Sequence, residues 1–222
     1  MDGIYSTDPR KYKEAKKLKE IEYEEMLELA SLGAQVMHSR SVELAQKFNI
    51  ELYVGLSCSD IKGTYIRGSK CMKLEDKVIT GLATCDDDAA ITIADINMVN
   101  VSNLFEKVAI EGISVDMISQ TAPHHNKVNV SFTIQKEDLK KCIAIVSEFV
   151  GDENIVVDED ITKFSLVGLG MKNTSGVASK VFKILSENNI IIKLITTSEI
   201  RITCAINSSC KEVAIKAIAK EF

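Results

Sequence analysis

Adjacent His124 and His125, in the run Pro123-His-His-Asn-Lys127, and three consecutive acids, Asp86, Asp87 and Asp88, have the side-chain types that could hold a metal. A zinc site needs three or four nitrogen, sulfur or oxygen ligands converging on one point. The two histidines have no carboxylate or thiol beside them and read as an exposed loop. Magnesium and calcium do take carboxylates, but the three acids lie between two runs of strand character, where aspartate is a turn former, so a solvated turn is expected there. The six cysteines (Cys58, Cys71, Cys85, Cys142, Cys204 and Cys210) contain no Cys-x-x-Cys pair and read as reduced thiols packed as small hydrophobes. No metal site and no catalytic residue is assigned.

Lys11, Lys13, Lys16, Lys17 and Lys19 form a basic run, but Glu14 and Glu20 interrupt it, which favours a solvated surface. With 27 basic against 32 acidic residues, no Trp and 5% aromatics, the chain lacks both the charge and the stacking surfaces of a nucleic-acid binder. There is no apolar run of about 18 residues and no signal-peptide pattern after Met1, so a cytoplasmic protein without a membrane partner is expected.

The elements that would position a site divide into two regions. The first holds helical patterns at Tyr23 to Leu32 and Ser41 to Phe48 and an alternating segment at Glu51 to Leu56. A linker is expected around Gly63, Gly68 and Ser69. From Val78 onward short β-rich runs alternate with amphipathic helices, and the chain repeats itself at an offset of 77 residues: Ile113-Ser-Val-Asp-Met-Ile118 lies opposite Ile190-Ile-Ile-Lys-Leu-Ile195, and Phe105 opposite Phe182.

The first copy reads βαββαβ: strand Ala89 to Ala94, helix Val101 to Glu111, strands Ser114 to Ser119 and Val128 to Ile134, helix Lys136 to Phe149, strand Ile155 to Val157. The second reads strand Lys163 to Leu169, helix Val177 to Glu187, strands Ile191 to Thr196 and Arg201 to Ile206 and helix Ser209 to Phe222, one strand short. Val78 to Thr84 is left over before the first copy. An open sheet edge leaves backbone groups unpaired, so this strand is expected to complete the second sheet. The helices carry one apolar face each, as in Val177, Val181, Phe182 and Leu185, and should cover one side of each sheet.

Gly3-Ile-Tyr-Ser-Thr-Asp-Pro-Arg10, Glu25-Met-Leu-Glu-Leu-Ala-Ser-Leu-Gly33 and Arg40-Ser-Val-Glu-Leu-Ala45 closely resemble the latter part of the aspartate kinase catalytic domain, and Val167-Gly-Leu-Gly-Met171 and Thr197-Ser-Glu-Ile200 resemble the ACT repeats of that family. The resemblance implies an α+β chain. Residues 1–67 would be the end of an α/β amino-acid kinase domain, 88–160 a ferredoxin-like ACT unit, and 77–87 with 161–222 a second ACT unit into which the first is inserted. The family's Lys-Phe-Gly-Gly signature and its aspartate-binding residues do not occur here, so the chain by itself is expected to be inactive.

Further expectations follow from the same resemblance. The complete kinase uses ATP and magnesium to phosphorylate L-aspartate, whereas the isolated chain is expected to hold no cofactor. Tyr5 and Arg10 match residues that touch ATP, as does the pair Gln35-Val36; the family has lysine where Gln35 stands, and the lost charge weakens a phosphate contact. ACT units bind small amino acids where a strand turns into a helix, because free N–H groups and the helix dipole favour a carboxylate. The matching positions are Asn97, Asn100 and Val101 at the turn and Ser114, Val115, Asp116 and Gln120 on the next strand.

Val99 stands where glycine is usual, and Lys193 where an acid is usual in the second copy. Lysine, or threonine, would be the effector in feedback control of lysine biosynthesis, with a homodimer formed through the ACT units and a full-length kinase subunit as a possible partner. The alternatives are a working kinase completed by another polypeptide and a dimerisation module without ligand.

Overall fold

A computed structural model of the chain describes residues 1–33, 36–68 and 78–221. The N-terminal segment holds β1 (Glu20–Glu22), α1 (Tyr23–Ser31), α2 (Ser39–Phe48), β2 (Leu52–Val54) and β3 (Thr64–Arg67), its strands ordered β1-β3-β2. A capping box starts α1: the Glu22 carboxylate accepts from the Glu24 N–H, and Glu25 reaches back to the Glu22 N–H. Its buried face is Tyr23, Glu25, Met26 and Leu29.

The linker expected around Gly63, Gly68 and Ser69 is corrected by β3, which runs between the two glycines; Ser69 lies outside the described residues. Thr64 and Ile66 are fully buried, and the Thr64 hydroxyl donates to the Leu18 carbonyl while accepting from the Ile4 N–H. Four residues of in-and-out alternation between glycines are too short to stand out as a strand pattern.

Strand β4 (Gly81–Cys85) leads into the first repeat unit: β5 (Asp88–Asn97), α3 (Met98–Ile110), β6 (Val115–Gln120), β7 (Lys127–Gln135), α4 (Leu139–Val146) and β8 (Ile155–Asp158), with sheet order β6-β7-β5-β8. The helix expected over Lys136 to Phe149 is shorter, entered through a 3-10 turn at Lys136–Asp138 and closed at Val146. Ile91, Ile93, Leu104, Phe132 and Val146 lie at the centre of this unit's core.

The second unit is β9 (Ile161–Val167), α5 (Val177–Glu187), β10 (Ile192–Thr197), β11 (Arg201–Asn207) and α6 (Lys211–Glu221), with sheet order β10-β11-β9-β4. β4 thus lies beside β9, Gly81 opposite Val167 and Cys85 opposite Lys163. On α5 the buried stripe is Val177, Val181, Ile184 and Leu185; Phe182, expected in that stripe, is 41% exposed. One residue past Val181 is a turn of about 100° around the helix, which carries the ring off the core face.

Helices cover one face of each sheet, and the two opposite faces meet through Ala90, Met117, Ile161 and Ala205, with Leu194 against them. Every residue of β9 is therefore buried: Phe164 and Leu166 face the helices of their own unit, while Ile161, Lys163, Ser165 and Val167 face away from them. Val167 and Ala83 join the core of the N-terminal segment, with Met26 and Leu29. Among the described residues no helix is long and apolar enough to cross a membrane.

Candidate functional site

Asp116 stands near the start of the edge strand β6, paired across the ladder with Thr133. Its neighbour Val115 packs on the helix side of the sheet, so the alternation of a strand turns Asp116 toward the second unit. There it meets Lys163, whose ammonium donates to the Asp116 carboxylate at 2.6 Å and also pairs with Asp88. Lys163 and Asp88 are almost wholly buried, whereas the Asp116 side chain is 45% exposed.

Burial acts to raise the Asp116 carboxyl, but the hydrogen bond and charge of Lys163 outweigh it and hold the group below the usual carboxylate range. Burial likewise opposes the charge on Lys163, and the two carboxylates overcome it, leaving the ammonium above its ordinary value. These residues edge a cavity of about 300 Å³ bounded by both sheets and by the end of α1, at Ser31 and Leu32. Ser114, Val115 and Ser165 also line it, as does Thr133, whose buried hydroxyl has no hydrogen-bond partner.

The seven residues expected to contact an effector do not converge within the chain. Ser114, Val115 and Asp116 share the cavity. Asn97, at the end of β5, lies opposite Lys127, and Gln120 opposite Val130, so they sit about 10–20 Å further along the sheet at about 3.4 Å per residue. Asn100 and Val101 follow Asn97 in the first turn of α3. The amides expected to be open at this turn are partly engaged: the Asn97 side chain accepts from the Val99 N–H at 3.1 Å, and the Met98 N–H donates to the Asn126 carbonyl at 3.0 Å. Val99 itself is 72% exposed.

Tyr5, Arg10 and Val36 line a second cavity, of about 270 Å³, between the N-terminal segment and the turn after β4. The Tyr5 hydroxyl donates to the Asp2 carboxylate at 3.1 Å, and the largely exposed Arg10 pairs with Asp8 at 2.8 Å. Gln35 lies outside the described residues.

His124 and His125 occupy an exposed turn, and among the described residues no group of three or more His, Cys, Asp or Glu is poised to hold a metal. The expected solvated turn at Asp86 to Asp88 is corrected in part: Asp87 is exposed, but Asp86 pairs with Lys211 and accepts from the Thr162 hydroxyl, and Asp88 is 6% exposed against Lys163. Folding the second unit back over this turn buries what the local pattern leaves in water.

Three residues that tie parts of the chain together are not apparent from the sequence. Glu25, 4% exposed, accepts from the Thr80 hydroxyl and the Leu169 N–H, and Glu28 pairs with Arg201 at 3.0 Å; together they tie α1 to the second unit. Lys163 joins the two units. The signal for Lys163 is a lone cation inside the run Ile161-Thr-Lys-Phe-Ser-Leu-Val167, whose other positions read as a strand with both faces covered.

Residues 1–55 match the model of the amino acid kinase family and residues 164–222 match that of the ACT domain. The aspartokinase of Helicobacter pylori strain 26695 is 38% identical over 98% of this chain and 55% of its own length. The chain thus spans about half the length of the curated relatives it matches. Among solved structures, the ligand-free regulatory subunit of aspartate kinase from Thermus thermophilus is similar with a TM-score of 0.61 and 31% identity, over 66% of this chain and 99% of that one. Escherichia coli aspartokinase III in complex with lysine and aspartate is similar with a TM-score of 0.78 and 26% identity, over all of this chain and 50% of that one.

Proposed function

As this chain is a homologue of the aspartate kinases, carrying an amino acid kinase segment and an ACT domain, we propose that it is an amino-acid-sensing regulatory region, binding lysine or threonine for feedback control of the phosphorylation of L-aspartate by ATP. The observation that carries this reading is Asp116: a carboxylate of the type that holds an ammonium group, half-exposed at the mouth of a polar cavity between the two repeat units. The similarity to a lysine complex of aspartokinase III supports lysine as the first ligand to test.

Gln120 ends β6, the free edge of its sheet, where Ile118 is 54% exposed, and Asn97, Asn100 and Val101 lie where β5, two strands in, turns into α3. An exposed apolar residue on an open edge suits a second copy of the chain, and a homodimer through this edge would give the turn residues a facing wall. Occupancy reaches the kinase segment only if the ligand prefers one arrangement of the units. The contacts of Glu25 and Glu28 with the second unit supply a route for that preference.

Calorimetric titration of the dimer with lysine and threonine tests the proposal. Saturable heat from one of them is the expected result, and a folded dimer that gives heat with neither refutes it. A second reading, a kinase completed by another polypeptide and using magnesium ATP, is favoured by the cavity that Tyr5, Arg10 and Val36 share. Formation of aspartyl phosphate by the chain mixed with a full-length kinase subunit, beyond that of the subunit alone, would support it.

A further inference from the structure

Three parts of the chain meet at the turn between β4 and β5, and one charge there is left unmatched. Lys11, from the N-terminal segment, donates to the Thr84 hydroxyl at 2.8 Å. Asp86 pairs with Lys211, the first residue of α6, and accepts from the Thr162 hydroxyl of β9 at 2.7 Å. Its backbone carbonyl accepts from the Lys136 ammonium of the first unit, also at 2.7 Å. Asp8 is held through both oxygens by Arg10. Among the described residues Lys11 therefore has no carboxylate at ion-pair distance.

An ammonium group whose partner is a neutral hydroxyl attracts an anion. Partial burial, and after it the charge of Lys211 close by, push Lys11 below the ordinary lysine value, and an anion between the two ammonium groups relieves that repulsion. Lys11, Thr84 and Asp86 line the cavity of about 270 Å³ that Tyr5 and Arg10 share. Met26, Leu29, Val36 and Leu82 line it too, so the space offers apolar contact beside the charge.

The number of cations selects among anions. A carboxylate brings one negative charge, enough for Lys11 alone. A phosphate group brings nearly two charges and three acceptor oxygens, which can serve Lys11, Lys211 and the Thr84 hydroxyl together. Lys211 has three N–H donors and can divide them between Asp86 and the phosphate. Asp87 also lines the cavity, but it is exposed and water screens its charge.

We propose that Lys11 and Lys211 hold a phosphate group at the rim of this cavity, with Thr84 donating a third bond, so that the second repeat unit supplies one of the ligand's contacts. The ligand class is an organic phosphate whose apolar part lies against Met26 and Leu29. Neither lysine is among the residues matched above to ATP contacts. The inference rests on the completed-kinase reading and deepens it, because Lys211 reaches the cavity from outside the kinase segment and ties its occupancy to the position of α6.

The test is calorimetry of the full chain, without magnesium, against ATP, inorganic diphosphate and adenosine. ATP should bind more tightly than diphosphate, and adenosine least; diphosphate binding as tightly as ATP would assign the site to free inorganic phosphates instead. Lys11→Met should leave the thermal midpoint of the ligand-free protein unchanged or raised, since it removes only a bond to a neutral hydroxyl. It should weaken ATP and diphosphate by about tenfold to a hundredfold, the usual range for one hydrogen bond to a charged group, and leave adenosine unaffected. Asp86→Asn keeps an acceptor for Thr162 and removes the acid that competes for Lys211. It should tighten diphosphate by about fivefold to tenfold, the scale of one like-charge repulsion near a surface. Adding Lys211→Met to Asp86→Asn should abolish that gain.

A folded wild-type chain that binds neither ATP nor diphosphate overturns the inference, as does Lys11→Met binding both within twofold of the wild type. If Lys211→Met changes nothing in the Asp86→Asn background, the second unit supplies no contact and the inference fails in that form. The completed-kinase reading is decided separately, by aspartyl phosphate formed with a full-length subunit, so failure of the lysine contacts alone leaves it standing.

Discussion

The Glu25 carboxylate accepts a hydrogen bond from the backbone N–H of Leu169 at 2.9 Å, between residues 144 positions apart in the chain. The same oxygen accepts from the Thr80 hydroxyl at 2.7 Å, and the other takes the Glu22 N–H that starts α1. One buried acid thus serves a helix cap, the strand leading into the second sheet and the turn that follows β9.

Replacing Glu25 with alanine removes all three contacts and strands the Leu169 amide. Bonds to a charged acceptor contribute about 1.5–3 kcal/mol each and are not additive, so Glu25→Ala should destabilise the chain by about 3 kcal/mol. Glu25→Gln, which keeps one acceptor oxygen, should cost less than half of that. Urea unfolding followed by circular dichroism measures both, and a change under about 1 kcal/mol for the alanine variant would mean that the two regions are not held through this acid.

The repeat was legible because its anchoring residues are apolar and buried: Ile113 and Ile190, first in the two matched runs, are each 5% exposed. Burial is a property each strand carries in its own pattern. The role of Lys163 is not, because it depends on Asp88 and Asp116, which lie 75 and 47 residues before it and approach only when the sheets stack. For the same reason Asp116 was legible as an acid on a strand but its partner was not. β3 is hidden for a different cause, since its four residues are bounded by glycines that imitate a linker.

The charges around Lys163 give stability a defined pH dependence. Asp116 is held below the ordinary carboxylate value of 3.8 by Lys163 against the effect of burial. Its contribution is therefore complete above that value and is lost as pH falls through the lower, folded-state value. Lys163 is held above 10.5, so its contribution is complete below 10.5 and disappears as pH rises through the folded-state value. Thermal midpoints of the wild type should fall at both extremes. The variant with Lys163→Met and Asp88→Asn should lose the alkaline fall and part of the acid one; identical profiles for the two proteins would contradict this assignment.

Thiol reactivity follows burial. Cys204 is pushed up to about 12 and Cys142 to about 11, both by burial in an apolar core, whereas Cys58 is exposed. The thiolate is the reacting form, so brief treatment of the native protein with iodoacetamide at about pH 8 should alkylate Cys58 and leave Cys142 and Cys204 unmodified, as read by peptide mass spectrometry. Early labelling of Cys204 would mean that the core of the second unit opens readily.

Lys193 occupies the position in the second copy that Asp116 occupies in the first, at the same offset of 77 residues, with the charge reversed. Each residue reaches across to the other unit: Asp116 to Lys163 and Lys193 to Asp158, both at 2.6 Å. Lys193 also donates to the Asp160 carbonyl at 3.1 Å. With 27% and 34% of the side chains exposed, the Lys193–Asp158 pair is only partly shielded from water, and a coupling of about 1 kcal/mol is the appropriate scale. Lys193→Asp should lower stability by about that amount through repulsion of Asp158, and Asp158→Lys alone should do the same against Lys193. Combining the two restores opposite charges, so the double variant should recover most of the loss in a double-mutant cycle of unfolding free energies. Additive losses would show that Lys193 and Asp158 are neighbours without being partners, leaving Lys163, paired with both Asp88 and Asp116, to fasten one repeat to the other.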